Sequence, residues 1–415
     1  MTENYTTSVM TSSGNEAKTS DCEWGTDLKK NEYKMPKPKR PFFSSGPCVK
    51  PKEWTWDALD PALLGRSHRS AEGVQSIAEL TQSLRQLLEI PDTHWVGLTP
   101  GSATGALEMA LWNLLRPETP IDVLEWDIFS QRWANSIEQE LRLPVRRIGG
   151  SVPHVFQQLH PNHDCVLTWC GTTQGVWVGP YDDFLDRPDQ CGGLVIADAA
   201  SAVFTTTLPW EKLDVTTFSW QKGLGGEAGS GVIVLGPKAL DRLNGYTPSW
   251  PIPWLMRLKD GAGLATGIFR GEMMNTCSMM LMAESAALIK IWRQRGGLSQ
   301  ALAQNQRNFQ AVAHWCQDHP WVNFAVTHGP CRAHGPVVLS IQDHRFKALD
   351  VPQQWAFLRD LAVFLAKNHV GFDVLNHAKA FPALRIWCGP TVETDDLRAL
   401  FPWIDGGLHS LFQRF

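Results

Sequence analysis

The chain has no apolar run near the roughly 18 residues that a membrane span requires, which excludes a helical membrane anchor. It has no surplus of charge either: net charge is −4, pI is near 6.4, and charged residues make up only 19%. That leaves no electrostatic footprint for nucleic acid or an anionic lipid surface, so neither is expected as a partner. None of the nine cysteines stands in a C-x-x-C pair, and their number is odd. With no secretory leader, they read as reduced thiols of a cytoplasmic protein, without a disulfide framework or a metal site. Internal repeats are also missing.

What is present describes an ordinary globular protein that is long for a single core. The chain has 415 residues, 43% of them hydrophobic, so a large domain with a smaller companion is the default. Its nineteen tryptophans are scattered and read as large buried side chains, not as a binding track. Residues 1–37 are polar and poor in aliphatics, as a disordered tail would be. That tail ends in the basic cluster Lys34, Lys37, Lys39 and Arg40, read here as a solvated linker. Glu3, Glu16, Asp21 and Glu23 argue against an organelle transit peptide.

From 38 to 280, short apolar runs alternate with helical patterns. Strand candidates are Trp95–Leu98, Ile121–Leu124, Cys165–Trp169, Leu194–Asp198, Val215–Ser219 and Gly231–Leu235; helical stretches cover 106–112 and Phe129–Leu143. The expected fold class is α/β, a mainly parallel sheet flanked by helices. Residues 281–415 read as a smaller α+β domain. Its helical segments run from Leu302 to Trp315, Gln353 to Lys367 and Asp395 to Phe412, with strands at Val337–Ile341 and Leu384–Trp387. The apolar stretch 278–291 would join the two.

The chemistry-bearing residues follow strand ends. Asp198 closes one apolar strand, and Lys222 follows the next strand, 24 residues later. A lysine amine that condenses with an aldehyde, and a carboxylate that pairs with a pyridinium nitrogen, are what pyridoxal phosphate requires. Local sequence alone also allows a surface lysine beside a loop. The glycines at 223, 225, 226, 229 and 231 would let backbone approach such a cofactor closely. Gly101-Ser102-Ala103-Thr104 precedes a helix, where backbone N–H groups and hydroxyls bind phosphate, although plain capping looks the same. Phe129, or Trp133 one turn later, could stack on a ring; either could equally be core. Thr172 follows another strand and could bond a ring hydroxyl. In an open parallel sheet ligands lie at the carboxyl ends of the strands, and four of these segments end there.

Taken in order, Phe43-Ser44-Ser45-Gly46-Pro47, Ser67-His68-Arg69, Gly101-Ser102, Asp198, Ser219-Trp220-Gln221-Lys222 and Met274-Asn275-Thr276 resemble the phosphoserine aminotransferases. These are class V, fold-type I pyridoxal phosphate enzymes, and the resemblance covers everything after about residue 38. It implies that Lys222 holds the cofactor aldehyde and that Asp198 pairs with the ring nitrogen. Gly101, Ser102, Ala103 and Gln221 would hold the phosphate, Phe129 would stack and Thr172 would bond the ring 3-hydroxyl. Asn275 and Thr276 would reach the cofactor of a neighbouring subunit, making a homodimer with shared active sites. Ser45, His68, Arg69, Arg385 and Lys379 would bind substrate, with Arg385 gripping the α-carboxylate. The implied reaction moves the amino group of L-glutamate to 3-phosphohydroxypyruvate by a ping-pong route, giving O-phospho-L-serine and 2-oxoglutarate in serine biosynthesis.

The chain departs from the family at two places. Its loop Gly101-Ser102-Ala103 lacks the arginine many members carry, and Asn376-His377-Ala378-Lys379 stands where many have a His-Arg pair. Arg66 is therefore an extra candidate for the substrate phosphate. Alternatives are a serine– or alanine–glyoxylate transaminase, a cysteine desulfurase using Cys331, or a cofactor-free binding protein.

Overall fold

Strands such as Val195-Ile196-Ala197 are apolar at every position, so a sheet built from them must be covered on both faces. The computed structural model describes residues 35–186, 191–261 and 263–413; the expected tail lies, through residue 34, outside the described residues. Seven strands form the main sheet: β1 (Trp95–Pro100), β2 (Ile121–Leu124), β3 (Val145–Ile148), β4 (Asp164–Thr168), β5 (Val195–Asp198), β6 (Val215–Ser219) and β7 (Ser230–Leu235). Their order is β1-β7-β6-β5-β4-β2-β3. Neighbours run parallel throughout except at β7, which is antiparallel to both β1 and β6.

Side chains sort to the two faces by strand period. Val195, Ala197, Val232 and Val234 join one apolar cluster, while Ile196, Ile233 and Leu235 join the other. The longer helices of this part are α1 (Ala71–Leu87), α2 (Ser102–Leu114), α3 (Ile128–Gln139), α4 (Pro237–Gly245) and α5 (Met279–Gln294). Leu107 and Leu111 of α2, Trp133 of α3 and Leu243 of α4 cover the second face. Ile77 and Leu84 of α1 and Trp292 of α5 cover the first. The helical stretch expected to reach Leu143 stops at Gln139, because Arg142 takes a left-handed φ of 56° that no helix continues through.

The C-terminal part builds a second, antiparallel sheet from β8 (Val322–Phe324), β9 (Pro336–Ile341) and β10 (Leu384–Trp387). Helices α6 (Gly297–Asp318), α7 (Val351–Lys367) and α8 (Thr394–Phe412) accompany it. The basic cluster expected as a solvated linker is docked from Lys37 onward. The Lys37 ammonium donates to the Asn368 carbonyl at 2.9 Å and lies over the Trp403 ring, and the Lys39 N–H donates to Asp396 at 2.7 Å. From there Trp387 N–H donates to Phe43 O at 3.1 Å, and Cys48 N–H donates to Gln221 O at 2.9 Å. The segment thus crosses from α8 and β10 to the loop after β6.

That arrangement fixes where chemistry can happen. β1, β4, β5 and β6 present their carboxyl ends at one sheet edge, and β10 brings Arg385 against it. Among the described residues no helix is long and apolar enough to cross a membrane, and no cluster suited to a metal ion occurs.

Candidate active site

Lys222 follows β6 and is 9% exposed, with its Nζ donating to the Ser45 carbonyl at 2.8 Å. Burial lowers its pKa, and the nearby Arg385 charge adds to that, while the Cys48 thiol and Asp198 oppose it. The net effect favours a neutral amine, the form able to act as nucleophile and base. Asp198 closes β5. Its Oδ1 accepts from Ala200 N–H at 3.0 Å and its Oδ2 from the Trp133 indole N–H at 3.1 Å. Burial still dominates and pushes its carboxyl up to about 6. A carboxylate held near neutrality against desolvation calls for a cationic partner.

Both residues face a cavity of about 190 Å³. The residues assigned from sequence that line it with them are Ser45, Ser102, Ala103, Phe129, Thr172, Gln221 and Arg385. Gly101 lies immediately beside it as the N-cap of α2, at φ 80°. No side chain caps α2, so its first N–H groups remain free donors at the cavity wall. Ser102 also takes a left-handed φ of 60°, a conformation a serine adopts at a cost and that tends to mark a functional site. Gly231 on β7 makes room for this turn, since a Cβ there would lie 2.2 Å from Ser102 O. Gly223, Gly225, Gly226 and Gly231 thus serve close packing within the chain, and none of them, nor Gly229, lines the cavity.

Several buried polar atoms around the cavity have no partner: Gln221 Oε1, Ser219 Oγ, Ser45 Oγ and Arg385 Nε. Such groups are costly unless something bonds them. Together with the uncapped α2 terminus, a buried amine and a carboxylate awaiting a cation, they fit pyridoxal phosphate: an anion at one end, an aldehyde in the middle, a pyridinium at the other. Thr172 and Ser201 share a hydroxyl–hydroxyl hydrogen bond on the same wall.

Other assigned residues stand apart from this cavity. Asn275 and Thr276 line a larger neighbouring cavity of about 410 Å³, whose rim includes the largely exposed Trp56 and Met280. His68 is buried with an unpartnered Nε2, while Arg69 is exposed and its charge bears on Cys277, next to Thr276. Lys379 is exposed outside the cavity, although His377 lines it. Arg66 forms an ion pair with Glu72 at 3.1 Å. Cys331 is 1% exposed, and burial pushes its thiol up to about 11, the opposite of a reactive nucleophile. Sequence reasoning did not single out Ser201 or Asp127, both on the cavity wall. The small residues Ala199-Ala200-Ser201 directly after the Asp198 strand, and an aspartate in N-cap position directly before the helix that starts at Ile128, were the available signals.

Phe129 and Trp133, left open by the sequence, occupy different places. Trp133 is 1% exposed and bonds Asp198. Phe129 is half-buried, with His377 edge-on at 6.4 Å between ring centroids.

The pattern of the family described as Aminotransferase class-V matches residues 62–329. A phosphoserine aminotransferase of Methanosarcina mazei is 38% identical over 372 residues, covering 89% of this chain and 96% of the relative. Its counterpart in Methanosarcina barkeri is 37% identical with the same coverage. Among solved structures, the phosphoserine aminotransferase of Bacillus circulans subsp. alkalophilus superposes with a TM-score of 0.70 at 17% identity, covering 90% of this chain and 98% of that one. A pyridoxal phosphate-bound phosphoserine aminotransferase from Trichomonas vaginalis gives 0.69 at 17%, covering 88% and 99%. At those identities the structures establish the fold alone.

Proposed function

The chain belongs to the class-V aminotransferase family, and from that membership and its 38% identical relatives we infer that it is a phosphoserine transaminase dependent on pyridoxal phosphate. The observation that carries the reading is the buried Lys222–Asp198 pair in one cavity with the uncapped α2 terminus and unpartnered donors and acceptors. The reaction takes the amino group of L-glutamate to 3-phosphohydroxypyruvate, giving O-phospho-L-serine and 2-oxoglutarate.

Bound in this cavity, the cofactor supplies an aldehyde to carry the amino group and a ring to hold the electrons released at the substrate Cα. The backbone of Gly101, Ser102 and Ala103 with the Gln221 amide holds its phosphate. Thr172 meets the ring hydroxyl, with Ser201 orienting the Thr172 Oγ. Asp198 would keep the ring nitrogen protonated, with the Trp133 indole N–H holding that carboxylate, and Phe129 and Trp133 both line the space for the ring. With the cofactor bound, the neutral Lys222 Nζ would take the proton from the substrate Cα and return it across the site. Arg385 holds the α-carboxylate through a planar fork, and Ser45 borders the same space.

Asn275, Thr276, His68 and Arg69 need a second subunit to act, so we take the working form to be a cytoplasmic homodimer with shared sites. We also place the division between a cofactor domain (38–280) and a smaller C-terminal domain (281–415) at the start of α5.

Three measurements test this. The aminated enzyme, offered a panel of keto acids, should return to the aldehyde form fastest with 3-phosphohydroxypyruvate; a preference for glyoxylate would replace the reading with a glyoxylate transaminase. Arg69→Ala should raise the KM for 3-phosphohydroxypyruvate roughly tenfold to a hundredfold, the loss of one charge-assisted hydrogen bond. Mixing Arg69→Ala with Lys222→Ala protomers should then restore one intact site per mixed dimer. No recovery on mixing would show that Arg69 serves its own chain.

A further inference from the structure

Arg132 is exposed and lies 5.4 Å over the ring of Phe129, one helical turn before it on α3. Phe129 itself lines the cavity, so this stacking places the guanidinium one ring away from the cavity wall. Among the described residues no carboxylate pairs with Arg132. Its position near the start of α3, where the helix field is positive, gives a cation no local reward. His377, also on the cavity wall, lies edge-on to the same Phe129 ring. The Lys379 backbone N–H donates to its Nδ1 at 3.2 Å, which leaves the proton of the neutral ring on Nε2, free to donate. Asn376, bonded to the Thr173 carbonyl at 3.0 Å, anchors this loop. The charges of Arg385, Arg132 and Lys379 all bear on His377 and, after burial, depress its pKa.

The cavity wall therefore carries the half-buried Arg385 at the carboxylate end and the His377 imidazole donor, with the Arg132 cation stacked on the lining ring of Phe129. An anion in reach of both Arg132 and His377 would find a bidentate fork and an N–H donor. The loop Gly101-Ser102-Ala103 offers no arginine for that purpose. We propose that Arg132, held on Phe129 and assisted by His377, is a specificity-determining residue that binds the phosphate of the phosphorylated keto acid from within the same chain. The inference rests on the transaminase reading above and adds the residue that selects its substrate.

The test compares two acceptors that differ only by the phosphate, 3-phosphohydroxypyruvate and hydroxypyruvate, in single turnovers of the aminated holoenzyme. The ratio of their kcat/KM values reports phosphate recognition, and damage to the fold or the cofactor site lowers both alike. Arg132→Met, which keeps a long side chain on Phe129 without charge, should reduce that ratio roughly tenfold or more, and Arg132→Lys should recover part of it. A ratio unchanged in Arg132→Met, whether or not both substrates slow together, overturns the inference. A wild type without preference for the phosphorylated acid overturns the functional reading itself and this inference with it.

Discussion

Lys222→Ala is expected to abolish transamination while leaving a folded protein. The amine it removes is 9% exposed, and Asp198 faces the same cavity. Among the described residues no other lysine lines that wall to form the bond to the cofactor aldehyde. Folding should survive for a physical reason. Burial depresses the Lys222 pKa, so the charged amine is disfavoured in the folded chain, and below the normal lysine pKa its presence costs stability. The lost hydrogen bond to Ser45 O offsets part of that gain, on the order of 1 kcal/mol. Single-turnover kinetics without added amines should show no transfer, and borohydride should fix cofactor to the wild-type chain but not to the variant. Near-normal turnover would remove this lysine from the mechanism.

Much of this site was legible because the sheet is buried on both faces. Runs such as Val215-Thr216-Thr217-Phe218-Ser219 and Ile121-Asp122-Val123-Leu124 match β6 and β2 residue for residue, and a parallel strand delivers whatever follows its carboxyl end to one edge. Asp198, Thr172, Gly101 and Lys222 could thus be grouped before any coordinates. The reversed direction of β7 could not, since Ser230–Leu235 is buried at every position and that pattern does not encode direction. Stretches without a strong period, such as the partly exposed Val145-Arg146-Arg147-Ile148 of β3, gave no signal. The glycines after Lys222 were explained by the wrong neighbour: Gly231 yields to Ser102 O, and a Cβ at Gly223 would lie 2.4 Å from Val203 O. Phe129 and Trp133 are equivalent in sequence, and only the indole bond to Asp198 separates them. Asn275, Thr276, His68 and Arg69 lie away from the cavity that holds Lys222, and no residue pattern along one chain encodes that separation.

Asp198→Asn should lower kcat by several orders of magnitude, because a neutral amide cannot keep the ring nitrogen protonated and the electrons released at Cα lose their sink. A rate within about tenfold of wild type, roughly 1.4 kcal/mol, would assign that task to another group. The same substitution should shift stability of the cofactor-free protein in the opposite sense, with a sign that depends on pH. Burial raises the Asp198 carboxyl from 3.8 to about 6. A raised carboxyl contributes stability that is fully present below the unfolded pKa and is lost as pH rises through the folded one. Above pH 6 the wild-type apoprotein therefore carries a penalty on the order of 3 kcal/mol, from 1.36 kcal/mol per pKa unit. The asparagine escapes that penalty but can accept only one of the two N–H groups, from Ala200 and Trp133, a loss on the order of 1 kcal/mol. Thermal unfolding of the apoproteins should accordingly find Asp198→Asn the more stable at pH 8 and the less stable at pH 4. With cofactor bound the pH 8 order should reverse, since the pyridinium then compensates the charge that burial disfavours. An apoprotein destabilised equally at both pH values would mean that Asp198 is held charged by its hydrogen bonds before any cofactor arrives.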